Sequence, residues 1–461
     1  MSSPEGTRAE GAEVPSQEMT GTPARRLLGV PRQRNRTEPA GDDTSAAPAG
    51  IGTLAFVESP AQLLNVLEWA HSAGGRPAGS TGSAGPAGSG GSTGSTRSAG
   101  LTGSAGAGRA GGEAGPDRWP EAAALTVVVL SPHDPMTRGQ LRRMAELARD
   151  EGHTVRWEEA RGGPTAPLRT IGGLTPLLRR SRRVVIGDPF SRYVQLLLTL
   201  TAARDLVVVD DGTATMEFVS QLACGGRLVR WHRHGSGRRP RDLVFAPFAA
   251  TVRRRLTPPP EGGRRTVGLF SAMPVDEAPE GIRVTANEFA WTRRRFGPPR
   301  VMDAADIVGT SLVETGVVAD DRYLAAVGAL ARTYGAARYF AHRRESTEKL
   351  RRLAHATGLE VVRPDLPLEL IARRGPVGRL IVSFPSTVVH TLPLALLGTE
   401  VRVAVCDIDP EWLTDHASPR AQGFLDGVTS TARDVQRLPF VQRMATGRPP
   451  DEPSRKPVAK P

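Results

Sequence analysis

Cysteine is nearly absent from this chain. Cys224 and Cys406 are its only two in 461 residues, too few for a disulfide framework or a cysteine-rich metal centre. Lysine is almost as rare: only Lys349, Lys456 and Lys460 occur, so arginine carries nearly all of the +12 net charge. Aromatic residues make up 5% of the chain. The arginine runs at 179–183, 253–255, 264–265 and 293–295 are not interleaved with aromatics, which argues against nucleic acid as a partner. No apolar run approaches the ~20 residues needed to span a bilayer. The acidic, proline-bearing start lacks the apolar stretch of a signal peptide. These absences predict a cytoplasmic chain. The arginine excess is compatible with peripheral association at the anionic inner membrane face and with phosphate-bearing substrates.

What is present divides into foldable and unfoldable stretches. Residues 1–49 and 438–461 have few bulky apolar side chains and predict disordered tails. Residues 72–118 are almost entirely Gly, Ser, Ala and Thr, a low-complexity insertion. Elsewhere apolar runs of strand length alternate with helical patterns. The first begins at 51–57, followed by Ser59 at an N-cap position and Pro60 at the first helical position. Further strands are expected at 125–130, 183–187 and 205–209, with helices near 137–150, 190–201 and 215–224. Pro258-Pro-Pro-Glu-Gly-Gly263 reads as a linker. A second series follows, with strands at 266–270, 282–286, 305–309, 337–341, 359–362, 379–383 and 401–405. This alternation predicts an α/β protein with parallel, doubly wound sheets: two Rossmann-like domains, 51–257 (interrupted by 72–118) and 264–437, facing a cleft.

The richest chemistry lies at strand ends. Asp205–Val209 is apolar beyond its first residue and leads into Asp210-Asp211-Gly212. The carboxyl end of a buried parallel strand opens into the ligand crevice of such folds. Adjacent acids repel, which raises one towards base strength near neutrality, and Gly212 permits a sharp turn. The bland alternative is that Asp211 or Thr213 only caps the following helix. In the second series, Tyr339-Phe-Ala341 runs into His342-Arg343-Arg344, a set that favours an anion, and Glu345 is expected to begin the next helix. Leu380–Ser383 runs into Phe384-Pro-Ser386-Thr387, where small hydroxyls and unpaired N–H groups at a helix N-terminus suit a phosphate. Here the bland alternative is N-capping by Ser383 or Ser386.

Acids in one domain, and a histidine and a Ser-Thr pair in the other, suit sugar transfer from a nucleotide donor. In these motifs and their order the chain resembles the bacterial sialyltransferases and polysialyltransferases of GT-B fold, which share an acid-acid-Gly motif, a His-Pro motif and a Ser-Ser/Thr motif. Leu54–Asn65 and Gly309–Glu314 resemble further segments of that group, and the likeness spans roughly 51–410. The resemblance implies a metal-independent, inverting glycosyltransferase that needs no cofactor. It would move an acidic sugar from a CMP-linked donor to a glycan or other hydroxyl acceptor, with the first domain on the acceptor side and the second binding the nucleotide sugar. Asp211 would be the general base, with Asp210 its alternative. His342 would assist the leaving phosphate, and Ser386 and Thr387, with Ser383, would bind it. Arg343 stands where the family has proline. It could grip phosphate or a sugar carboxylate bidentately, or mark another donor such as CDP-glycerol. A nucleotide- or glycan-binding protein that keeps the fold without catalysis is the alternative. Asp407-Ile-Asp409 spells the metal-nucleotide triplet of another transferase fold, but neither it nor His133-Asp134 has partners with convincing ligand spacing. No metal site is expected.

Overall fold

The structure, a computed structural model, describes residues 52–73, 125–163, 165–226, 228, 240–259, 263–275, 278–415, 417 and 419–438. The expected tail 1–49, all but the first residue of the expected tail 438–461, and nearly all of the 72–118 insertion lie outside them. The first sheet contains β1 (Thr53–Val57), β2 (Leu125–Leu130), β3 (Thr154–Glu158), β4 (Arg183–Ile186), β5 (Asp205–Val209), β6 (Thr266–Ser271) and β7 (Ile282–Ala286). Its order is β3-β2-β1-β4-β5-β6-β7, and every pairing is parallel. The helices α1 (Pro60–Ala73), α2 (Pro135–Asp150), α3 (Ala166–Arg180), α4 (Arg192–Leu200), α5 (Thr213–Ala223) and α6 (Pro240–Leu256) belong to this domain, and α7 (Ala290–Arg295) follows β7.

The second sheet has β8 (Val301–Val308), β9 (Ala336–Phe340), β10 (Glu360–Val362), β11 (Val377–Ser383), β12 (Arg402–Cys406) and β13 (Val435–Leu438). Its order is β10-β9-β8-β11-β12-β13, again wholly parallel. Its helices are α8 (Asp320–Tyr334), α9 (Thr347–Thr357), α10 (Leu368–Arg374), α11 (Val388–Ala395) and α12 (Pro419–Thr431). Two Rossmann-like α/β domains are therefore present, as the alternating pattern requires.

The boundary differs from expectation. Strands β6 and β7 extend the first sheet: Leu206 pairs with Val267 and Val209 with Phe270, while Phe270 pairs with Thr285. The Pro-Pro-Pro-Glu-Gly-Gly stretch joins α6 to β6 inside the first domain, and the chain crosses later, through α7. Proline and glycine mark a loop, but a loop signal carries no information about whether the next strand joins the old sheet or starts a new one.

Strand alternation accounts for the core. Leu54 and Phe56 face one side of the first sheet with Val184, Ile186 and Phe218, whereas Ala55 and Val57 face the other with Leu63, Leu67 and Trp69. The second of these cores continues across the domain boundary to Leu366, Leu370 and Ala395. On the rim, the Gln140 side chain of α2 donates to the Pro364 carbonyl at 2.7 Å, and Arg143 pairs with Asp365. Among the described residues no helix is long and apolar enough to cross a membrane.

Candidate active site

The order of each sheet creates a switch point, between β1 and β4 in the first and between β8 and β11 in the second. Crevices form beyond the carboxyl ends of strands flanking such points. The Asp-Asp-Gly loop follows β5, one strand from the first switch. His342 follows β9, one strand from the second, and the Ser386-Thr387 pair follows β11 at the switch itself.

The two acids have different fates. Asp210 is only 2% exposed. One of its carboxylate oxygens accepts from Ser271 Oγ at 2.9 Å, and the other from the Ala272 amide at 2.6 Å. Its own amide donates to the Phe270 carbonyl at 3.1 Å. Burial raises its pKa, opposed by hydrogen bonds from Thr215, Ala272 and Ser271. The expected shift is thus present, but desolvation rather than a neighbouring charge leads its causes. Asp210 is turned into the protein, where its carboxylate joins β5 to β6. Asp211 is half-buried. Ser59 Oγ donates to its Oδ1 at 3.4 Å, and its amide donates to Thr215 Oγ1 at 3.2 Å. The N-cap position of α5 is Gly212, which has no side chain to cap with. Ser59, by contrast, does cap α1 as expected, accepting from the Gln62 amide at 3.2 Å.

Gly212 is one of the places where the domains touch. Its φ of 66° and ψ of −127° suit glycine, and a methyl group placed on it would lie 2.9 Å from Thr387 Cγ2. The acid-bearing loop of the first domain and the N-terminus of α11 in the second are therefore in direct contact. Thr387 is the N-cap of α11 and makes no side-chain cap bond. Ser386 lies 3.4 Å, hydroxyl to hydroxyl, from Ser383. Ser383 is fully buried and donates to the Phe384 carbonyl at 2.8 Å. Its hydroxyl is buried beside that of Ser386. No hydroxyl here is used for capping.

His342 rests on a buried polar network. Its amide donates to Glu345 Oε2 at 2.6 Å, and Glu345 Oε1 accepts from Tyr339 at 2.6 Å and pairs with Lys349 at 2.8 Å. Tyr339 in turn lies 2.8 Å from the Tyr323 hydroxyl. A methyl on Gly309 would come within 2.3 Å of Glu345 Oε2, so glycine at the end of β8 makes room for this network. Ser346, not Glu345, caps α9, accepting from the Lys349 amide at 3.1 Å. Burial, with Arg343, Arg344 and Lys349 nearby, lowers the His342 pKa to about 4. The ring is neutral at physiological pH. The Arg344 amide donates to Nδ1 at 3.2 Å, which assigns the ring proton to Nε2. Arg343 is exposed and its charge reaches Asp134, the N-cap of α2.

That depressed pKa has a thermodynamic consequence. Unfolded His342 protonates near 6.5 and folded His342 only near 4. Stability from the neutral ring is therefore present above pH 6.5 and lost as pH falls from 6.5 to 4. His342→Gln is expected to lessen the fall of Tm across that window relative to the unsubstituted protein. Identical Tm-versus-pH slopes in the two proteins would contradict it.

Sequence reasoning missed Glu369, on the first turn of α10. Thr391, one turn along α11 from Thr387, donates to it at 2.6 Å, and burial raises its pKa. A glutamate in the first turn of an amphipathic helix is too common to stand out by pattern. Asp409 caps the short 3₁₀ helix Pro410–Trp412, accepting from the Glu411 amide at 2.9 Å. Among the described residues no group of three or more His, Cys, Asp or Glu side chains is arranged to hold a metal ion.

No protein-family model matches this chain, and no curated protein matches it. Several solved structures do. The chain is similar to an α/β-galactoside α-2,3-sialyltransferase from the luminous marine bacterium Photobacterium phosphoreum, at 7% identity and a TM-score of 0.38, over 84% of this chain and 98% of that one. It is also similar to the E. coli heptosyltransferase WaaC with ADP-2-deoxy-2-fluoro heptose, at 12% identity and a TM-score of 0.36, over 86% and 98%. A third is a UDP-GlcNAc 2-epimerase from Neisseria meningitidis bound to UDP-GlcNAc, at 10% identity and a TM-score of 0.36, over 86% and 90%. The chemistry of this chain rests on its own side chains.

Proposed function

We propose that this protein is an inverting, sialyltransferase-like glycosyltransferase that moves an acidic sugar from a CMP-linked donor to a hydroxyl acceptor. The observation that carries this reading is the contact between the Asp210-Asp211-Gly212 loop and Thr387. It puts a carboxylate from one domain beside an anion-compatible helix N-terminus from the other. Inverting transfer needs that pairing: a base removes the acceptor proton on one side of the sugar while the phosphate leaves on the other.

Asp211 is the base. Asp210 is the positioning residue that holds the loop against β6. The hydroxyls of Ser386 and Thr387 take the leaving phosphate, while the Val389 and His390 amides of α11 are already donated to the Ser386 and Thr387 carbonyls. His342, with its proton on Nε2, donates a hydrogen bond to that phosphate without needing to be charged. Arg343 supplies the positive charge, to the phosphate or to the carboxylate of the acidic sugar. Glu369, held by Thr391 at 2.6 Å, is a carboxyl that could receive a nucleoside hydroxyl. A nucleoside monophosphate leaves with less charge than a diphosphate, so these donors replace a metal ion.

The test is incubation of the full chain with CMP-sialic acid and a mixture of glycan acceptors, following CMP release and product mass. CMP release with a mass gain on the acceptor supports the reading. CMP binding without turnover favours a non-catalytic binder, and turnover with CDP-glycerol alone names the other donor. Ser386→Ala removes a hydrogen bond to a charged group, worth about 1.5–3 kcal/mol. CMP affinity is expected to fall roughly ten- to hundredfold, read by titration calorimetry, with little change in Tm. Unchanged affinity would remove Ser386 from the phosphate site.

A further inference from the structure

Helix α1 is largely buried and, up to its last turn with His71 and Ser72, otherwise apolar, yet a buried polar residue recurs every third position from its cap: Ser59, Gln62, Asn65 and Glu68. Burying polar groups is costly unless each is hydrogen-bonded, and each of these is. Ser59 reaches Asp211. Gln62 Oε1 accepts from the Glu58 amide at 2.7 Å. Asn65 Nδ2 donates to the Asp210 carbonyl at 3.0 Å, while its Oδ1 accepts from Asn287 Nδ2 at 2.9 Å. Glu68 accepts from the Trp291 and Thr292 amides at 2.8 and 2.9 Å. One end of the stripe holds the acid loop, and the other holds the N-terminus of α7.

Asn287 is the junction. It follows β7, its amide donates to the Ser271 carbonyl at 2.9 Å, and its Oδ1 accepts from the Phe289 amide at 3.0 Å. Ser271 bonds the Asp210 carboxylate, which closes a ring through Asp210, Ser271, Asn287 and Asn65. Phe289 is buried and has a φ of 54°, a left-handed conformation that a bulky side chain adopts only when its surroundings impose it. Here the described chain makes its one passage between the two sheets.

We propose that α1 is a strut through which the interdomain crossing sets the position of the Asp211 loop, with Asn65 as the positioning residue that grips both ends. This rests on the reading of Asp211 as the base. Rotation of the second domain at Phe289–Thr292 pulls on Asn287 and Glu68, and α1 carries that displacement to the loop facing Thr387. The base is then in register with the phosphate site only when the domains are correctly set.

Amide hydrogen exchange on the full chain tests the strut without any assay of activity. Asn287 hydrogen-bonds with Asn65, Ser271 and Phe289 and not with residues 211–215, yet in Asn287→Leu exchange at 211–215 is expected to rise about tenfold, along with that of 289–292. Asn65→Leu is expected to do the same to both segments, and Asn65→Asp, which keeps the acceptor for Asn287, to affect 211–215 more than 289–292. Acceleration confined to the mutated neighbourhood, or spread evenly through both domains, overturns the proposal. Turnover of CMP-sialic acid adds a second arm: Asn65→Leu should lower kcat roughly ten- to hundredfold with CMP affinity within twofold. Loss of kcat and affinity in parallel with the folded fraction overturns it. Absence of turnover in the unsubstituted protein overturns the functional reading instead, and the exchange arm still decides the strut.

Discussion

Replacing Asp211 with Asn is expected to lower sugar transfer by ~10²–10⁴-fold, the usual cost of losing general-base catalysis, while CMP affinity stays within about twofold. The substitution keeps the shape and the hydrogen bond from Ser59, and removes only the basicity. The two quantities should separate because Asp211 and the Ser386-Thr387 pair come from different domains. The measurement is kcat for CMP release in the presence of acceptor, alongside calorimetric titration with CMP. Full activity in Asp211→Asn would sink the mechanism. Asp210→Asn should behave differently: its carboxylate is committed to Ser271 and the Ala272 amide, so that variant should lose thermal stability along with activity.

Gly212→Ala carries the second large effect. The added methyl would sit 2.9 Å from Thr387 Cγ2, and φ is 66°. A non-glycine residue held in such a region costs about 1–3 kcal/mol, which for domains of this size is on the order of 2–4 °C of Tm per kcal/mol. The clash also pushes the acid loop away from the N-terminus of α11. Transfer is expected to fall at least about tenfold, and CMP affinity should fall too, because the methyl displaces Thr387. Pairing Gly212→Ala with Thr387→Ser removes the opposing methyl, so affinity should partly recover while the Tm penalty from φ remains. Affinity equal in the single and double variants would show that the contact between the loops plays no part.

The strand ends that matter were legible because a run such as Leu206–Val209, closed by two acids and a glycine, fits little besides a buried parallel strand that ends at a crevice. The N-cap at Ser59 was legible for a similar local reason. The interrupted and polar elements were not. Strand β3 reads Thr-Val-Arg-Trp-Glu and lies at the sheet edge, where alternation is weak. Helix α3 contains Gly172-Gly173 and Pro176, residues that break helices in isolation and are tolerated here because Leu174 and Leu178 are buried in the core. The polar stripe of α1 was present in the sequence, but spacing by three gives no partners, and buried polar residues have meaning only through their partners.

What the chain determined alone is local: which segments are strands and helices, that the sheets are parallel, and which strand ends carry acids, histidine and hydroxyls. These follow from backbone preference and apolar periodicity, whose range is a few residues. Everything that separates one acid from its neighbour was decided by tertiary structure. Packing of β5 against β6 buries Asp210 and leaves Asp211 half-buried. Addition of β6 and β7 to the first sheet moves the crossing from 258–263 to α7. Burial among arginines and over the Glu345–Tyr339 network keeps His342 neutral. Desolvation and hydrogen bonds set these outcomes: for the acid loop the partners are far apart in the chain, as Asp210 and Ser271 are, while for His342 near neighbours act through the burial that packing gives them.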